Sequence, residues 1–254
     1  GAYRAAAQLF EPGASTSQQK AVAQKPAILF IHGGPSRQML LGWHYGDYYS
    51  NTYSLNQYLA NLGFIVLSVN YRLGIGYGYE FQHPLRGGYF GASEYLDVKA
   101  AGEWLARQPG VDKSRIGVYG GSYGGYLTAL AIGRDSRLFA AGVDIHGVHN
   151  HLNFAPPVDG EQPPDAQLAR KLLWESSPVS WVDGMKSPML FIHGDDDANV
   201  DFEESTDLIR RFQQKGKMYE SLVIPDETHH WMRYQNMLKI DKATADFLVR
   251  KLRP

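Results

Sequence analysis

Short, nearly unbroken apolar runs recur along this chain, separated by segments of helical periodicity. Residues 27–32 (AILFIH) and 64–70 (FIVLSVN) lack the alternation of a strand with one wet face, so they read as strands covered on both sides. Similar runs occupy 115–119, 140–145, 189–193 and 219–224, although 140–145 also reads as the end of a helix. Between them, residues 93–107 set Leu96, Ala100, Ala101 and Trp104 three or four apart and stop at Gln108-Pro109-Gly110. Residues 123–133 and 201–214 follow two of the strands, and 237–252 carry Met237, Ile240, Phe247 and Leu248 on one stripe. The alternation predicts an α/β fold, a mostly parallel twisted sheet with helices on both faces. A further strand is expected at 3–10, and the polar stretch 13–24 reads as a surface hairpin loop. Nothing repeats and no linker divides the chain, so residues 1–254 are expected to form a single domain.

Composition removes several function classes. With 25 Lys and Arg against 26 Asp and Glu, there is no basic field to gather nucleic acid or anionic lipid. No apolar run approaches the roughly 20 residues of a membrane span. The absence of cysteine excludes a disulfide scaffold, a Cys-ligated zinc and a thiol nucleophile, while leaving the compartment open. The opening GAYRAAAQLFEPG shows no signal peptide, and its lack of Met points to a piece of a longer polypeptide.

The chemistry concentrates where strands end. The run RIGVY leads into Gly120-Gly121-Ser122-Tyr123-Gly124-Gly125-Tyr126, a G-x-S-x-G on a strand-to-helix turn. Such a turn strains the central residue. It needs glycines two before and two after, because side chains there would strike the neighbouring strand or helix. Ser122 is thereby expected to be a nucleophile, held over the sheet edge at a helix N-terminus that favours developing negative charge. If the order is that of an α/β-hydrolase, an acid and then a base follow at later strand ends. The run 189–193 leads into the carboxylates Asp195, Asp196 and Asp197, and 219–224 leads to His229 and His230. Upstream, 27–32 ends in His32-Gly33-Gly34-Pro35, where exposed amides suit an oxyanion hole, with Gly34 and the Tyr123 amide as the expected donors.

These motifs resemble the prolyl oligopeptidase family of serine peptidases, which includes dipeptidyl and acylaminoacyl peptidases. The resemblance extends over nearly the whole chain. It rests on His32-Gly33-Gly34-Pro35, Asn70-Tyr71-Arg72, the Gly120–Tyr126 motif, His193-Gly194-x-x-Asp197-x-x-Val200 and Pro225-Asp226-Glu227-x-His229. It implies an α/β-hydrolase fold with Ser122 as nucleophile, Asp197 as acid and His229 as base, choices that spacing among neighbouring residues leaves open. It also implies that Asn199 bonds a substrate backbone carbonyl and that Val200 and Tyr123 wall the pocket. Some relatives use a tyrosine hydroxyl in the oxyanion hole where this chain has His32, which makes it more like the acylaminoacyl peptidases. The segment 146–157 does not match the Tyr-rich pocket of the proline-cutting dipeptidyl enzymes. Family members carry a β-propeller ahead of the catalytic domain, and nothing here reads as propeller blades. The expected partners are a peptide substrate and that propeller, without nucleic acid or membrane; homo-oligomerisation is left open.

Rival readings fail on particular positions. Asp195-x-Asp197-x-Asn199-x-Asp201 opens like a calcium loop but has Val200 where Gly belongs and Thr206 where Glu belongs. His146, His149 and His151 have zinc-like spacing without H-E-x-x-H; pocket-rim or hydrogen-bonded loop histidines are commoner, and a substrate contact is expected of His149. Gly74-Ile75-Gly76-Tyr77-Gly78 lacks the last glycine of a dinucleotide loop, and Arg72 is expected to anchor that segment. No metal or cofactor is expected. A carboxylesterase on the same scaffold and an inert binding module stay as alternatives to the peptidase.

Overall fold

The computed structural model describes residues 4–13, 24–155 and 163–253. Its strands are β1 (Ala7–Phe10), β2 (Lys25–Ile31), β3 (Ile65–Val69), β4 (Val111–Gly121), β5 (Ala141–Ile145), β6 (Met189–Gly194) and β7 (Tyr219–Ile224). They form one sheet in the order β1-β3-β2-β4-β5-β6-β7. Only β1 runs antiparallel, against β3, and every other pairing is parallel. The ambiguous run at 140–145 is a strand, held between β4 and β6. Tyr3 and most of the 13–24 loop lie outside the described residues.

The main helices are α1 (Asp47–Asn61), the single-turn α2 (Tyr79–Gln82), α3 (Tyr95–Ala106), α4 (Tyr123–Asp135), α5 (Pro164–Ser176), α6 (Phe202–Gln214) and α7 (Tyr234–Leu252). Side chains alternate across the sheet. Ala27, Leu29 and Ile31 pack with α3, α4 and α6, while Ile28 and Phe30 pack with α1 and α7. Both faces are therefore covered, which is why β2, β3, β5 and β6 carry no polar face. Among the described residues, no helix is long and apolar enough to cross a membrane.

Two longer helices, α1 and α5, and the single turn α2 are not among the sequence expectations. In α1 the buried positions Tyr49, Thr52, Leu55, Asn56, Leu59 and Ala60 do keep helical spacing. Thr and Asn interrupt the apolar stripe, and Tyr, Ser and Asn are weak helix formers. Asn56 is tolerated inside because its Oδ1 accepts a 2.7 Å hydrogen bond from the Tyr119 hydroxyl. In α5 only Ser176 is fully buried among the described residues, and the partly covered Ala166, Ala169 and Leu173 make a weak stripe.

The same face of the sheet contains a destabilising charge. Asp241 on α7 accepts from Asn51 Nδ2 of α1 at 3.0 and 3.2 Å, yet burial pushes its carboxyl up to about 6. The folded state then binds a proton that the unfolded state has lost, so stability falls as pH rises from about 4 to about 6. Asp241→Asn should remove that penalty. The expected gain is about 1–3 kcal/mol at pH 8 and close to none at pH 4, read from denaturant unfolding. A gain of equal size at both pH values would point to packing instead.

Candidate active site

The parallel strands end together, and their following loops meet over one edge of the sheet. Ile31 pairs with Gly120, Gly121 with Ile145, and Gly194 with Ile224. Ser122 occupies the turn between β4 and α4 with φ 58° and ψ −121°, outside the ordinary helical and strand regions. Its backbone is fixed from both sides, the N–H donating to Ile145 O at 2.9 Å and the carbonyl accepting from Tyr126 N at 2.9 Å. The flanking glycines are sterically required. A Cβ on Gly120 would lie 2.3 Å from Ile31 O, and one on Gly124 only 2.1 Å from the same oxygen.

A cavity of about 490 Å³ opens over this turn, lined by Ser122, Gly34, Asn199, His229, His230 and His146 together with Arg37, Asp47 and Tyr48. His229, nearly buried, donates Nδ1–H to Asp197 Oδ2 at 2.7 Å. That bond fixes the tautomer and leaves Nε2 as the basic nitrogen. Asp197 is held on its other oxygen by the backbone N–H groups of Asn199 and Val200, each 2.9 Å away. Burial would raise its pKa, but the bonds from His193, His229 and the Val200 N–H outweigh that and keep it well below the usual carboxylate range. Asp195 and Asp196 are exposed, so only the third carboxylate of the run turns inward.

The oxyanion-hole donors expected from the sequence are also sorted by the fold. The Gly33 N–H is taken by the Tyr49 hydroxyl at 3.0 Å, whereas Gly34 lines the cavity. The Tyr123 N–H is a first-turn helix donor, a position where no carbonyl of the helix itself can accept. The Tyr123 ring is nearly buried and its hydroxyl donates to the buried Glu94 at 2.6 Å. His32 turns away from the cavity. It is fully buried, stacks on Tyr71 with ring centres 4.3 Å apart, and burial lowers its pKa to about 4.

Three substrate-contact expectations are corrected, the first being that the nearly buried Tyr123 ring, turned to Glu94, does not wall the cavity. His149 is no rim residue: it is fully buried, donating Nε2–H to Asp144 Oδ2 at 2.5 Å and Nδ1–H to Glu204 O at 2.9 Å. Burial opposes its charge, but Asp144 and Glu204 together outweigh burial and raise its pKa, and both ring nitrogens face acceptors, as in a buried ion pair with Asp144. Val200 is buried and does not line the cavity; its role on view is the N–H bond to Asp197. Asn199 does line it. Arg72 anchors its loop as expected, through Nε and a second guanidinium nitrogen on Asp97 at 2.7 and 2.5 Å.

Two site residues lie outside the sequence expectations. His193 places Nε2 3.2 Å from Asp197 Oδ2 and 3.0 Å from Val200 O. Both are acceptors, so Nε2 carries the proton and Nδ1 takes the Ser205 hydroxyl at 2.7 Å. His146, just past β5, is stacked between His229 (4.1 Å) and Trp231 (4.9 Å). Burial, then the neighbouring His229 and His193, keep it neutral. Its place just past β5 is the signal that marks it, because function gathers at strand ends in such sheets.

His146, Asp197 and His229 are also the one group, among the described residues, whose ligand atoms lie near enough to suggest an ion. The stacking argues against it. Imidazole lone pairs lie in the ring plane, and two planes inclined by 23° and stacked at 4.1 Å do not meet within the 2.0–2.1 Å of a Zn–N bond.

Comparison with known proteins gives consistent results. The profile of the prolyl oligopeptidase family matches residues 49–254. Dipeptidyl aminopeptidase BIII of Pseudoxanthomonas mexicana is 34% identical over 245 residues, covering 92% of this chain and 34% of its own length. The acylaminoacyl peptidase of Pyrococcus horikoshii superposes with a TM-score of 0.76 at 27% identity, over 97% of this chain and 39% of that one. A puromycin-hydrolyzing peptidase of Mycobacterium tuberculosis shares the fold, with a TM-score of 0.81 at 23% identity, over 97% and 37% of the two chains. The chain thus spans about a third of the length of its relatives.

Proposed function

The chain belongs to the prolyl oligopeptidase family, and from that premise we propose that it is the catalytic domain of a serine peptidase acting through an acyl-enzyme on Ser122. His229 Nε2 takes the Ser122 proton as Oγ attacks the scissile carbonyl, and Asp197 holds the ring and stabilises the imidazolium. The N–H groups of Gly34 and Tyr123 receive the oxyanion. His229 then returns the proton to the leaving amine, and water repeats the cycle to release the acyl group. Asn199, at the cavity wall, bonds a backbone carbonyl of the substrate. The observation carrying this reading is the 2.7 Å Asp197–His229 pair in the cavity that Ser122 lines from a strained turn.

Peptides are favoured as substrates because the similar proteins are a dipeptidyl aminopeptidase and an acylaminoacyl peptidase. A covering domain, a β-propeller by family resemblance, fits the exposed side chains of the strand-end segments. Leu41, Trp43, Tyr45, Tyr79, Leu85, Phe90, Phe154 and Met232 are 51–91% exposed, apolar side chains that such a domain would cover.

A fluorophosphonate probe is expected to label Ser122 stoichiometrically and to abolish turnover of short peptides. Turnover of esters alone would move the assignment to a carboxylesterase. No labelling at Ser122 would leave an inert binding module.

A further inference from the structure

One cation in the cavity has no counter-ion. Arg37 lies three residues past Gly34, with its guanidinium carbon 4.8 Å from the centre of the Tyr49 ring. The Arg37 Nε is buried without a hydrogen-bond partner, and no ion pair involves this residue among the described ones. Asp47 lines the same cavity but lies beyond the 4.0 Å of an ion pair. The seat of the guanidinium is fixed: Arg37 N donates to Pro35 O at 2.7 Å, Arg37 O accepts from Ile75 N at 3.2 Å, and Tyr49 is itself bonded to Gly33. A planar cation held this way, over an aromatic ring and partly out of water, is prepared for a two-oxygen anion such as a carboxylate.

Its position tells which part of a substrate it meets. The proton received by His229 must pass to the leaving nitrogen, so the leaving fragment lies on the histidine side. His230 faces that side of the cavity. Arg37 lines the same cavity as His229 and His230, and the His230 pKa is lowered by partial burial, then by the charge of His229, with a further contribution from the charge of Arg37. Resting on the acyl-transfer reading above, we infer that Arg37 binds the free α-carboxylate of a short leaving fragment, so that the site prefers peptides ending one or two residues beyond the cleaved bond.

The test compares one short peptide as its free acid and as its C-terminal amide. The acid is expected to show a KM about 10- to 100-fold lower in the parent chain, the range for a charge-assisted hydrogen bond. Arg37→Gln should bring the acid-to-amide ratio to about one, and Arg37→Lys, keeping charge but losing the fork, should retain part of the preference. Fluorophosphonate labelling of Ser122 in both variants confirms that the site is assembled. Equal KM for acid and amide in the parent, or a preference that persists in Arg37→Gln, overturns the inference while leaving Ser122 chemistry intact. Absence of labelling in the parent instead removes the acyl-transfer reading, and this inference with it.

Discussion

Ser122→Ala is expected to lower kcat on peptides by about 10⁶-fold while leaving KM and folding close to those of the parent. The strain at φ 58° belongs to the backbone, and alanine keeps the same Cβ, so the turn and its bonds to Ile145 and Tyr126 survive. Only the attacking oxygen is lost. His229→Ala should cost a similar factor, because without a base the hydroxyl remains a poor nucleophile. The double variant should then be hardly worse than either single one, since nucleophile and base act as a unit. His230→Ala is the internal comparison: its ring is exposed and takes no part in the Asp197 bond, so its effect on kcat should be small. Kinetics and fluorophosphonate labelling of the four proteins read this out. A Ser122→Ala rate within tenfold of the parent would remove Ser122 as the nucleophile.

The strand-end positions of Ser122, Asp197 and His229 were legible because backbone sterics leave marks in sequence. Gly120 and Gly124 are glycine for want of space next to Ile31 O, and that requirement is visible without coordinates. The choice of Asp197 over Asp195 and Asp196 was not, because inward and outward carboxylates have the same composition. Nor was the fate of the histidines. His149 and His146 are three residues apart on one segment, yet one pairs with Asp144 and the other stacks on His229. That division depends on which β5 and β6 neighbours stand across from them, a long-range matter. In α1 the stripe is legible only once Asn56 is known to have Tyr119 as a partner. Local periodicity exposed the sheet, while polar groups satisfied inside the core hid what packs on it.

Asp197→Asn is expected to lower kcat by about 10⁴-fold, and the reason lies in which atoms can exchange roles. Asp197 Oδ1 accepts two backbone N–H groups that cannot turn away, those of Asn199 and Val200. An asparagine must therefore leave its carbonyl oxygen there and aim its NH₂ where Oδ2 stood. That NH₂ faces His229 Nδ1 and His193 Nε2. His229 is forced into the Nε2–H tautomer and can no longer take a proton from Ser122. His193 cannot escape the same way, since its Nε2–H also serves Val200 O, so a loss of stability should accompany the loss of rate. The linkage has a definite sign. The carboxyl of Asp197 is held low in the fold, so its contribution is present above the unfolded pKa of about 3.9 and fades as pH falls below that. The difference in unfolding free energy between parent and variant should accordingly be largest near pH 7 and shrink toward pH 3. Asp196→Asn, at an exposed side chain, should change neither rate nor stability appreciably. A larger kinetic loss for Asp196→Asn than for Asp197→Asn would transfer the acid's role to the neighbour, and a stability difference independent of pH would detach it from the carboxylate charge.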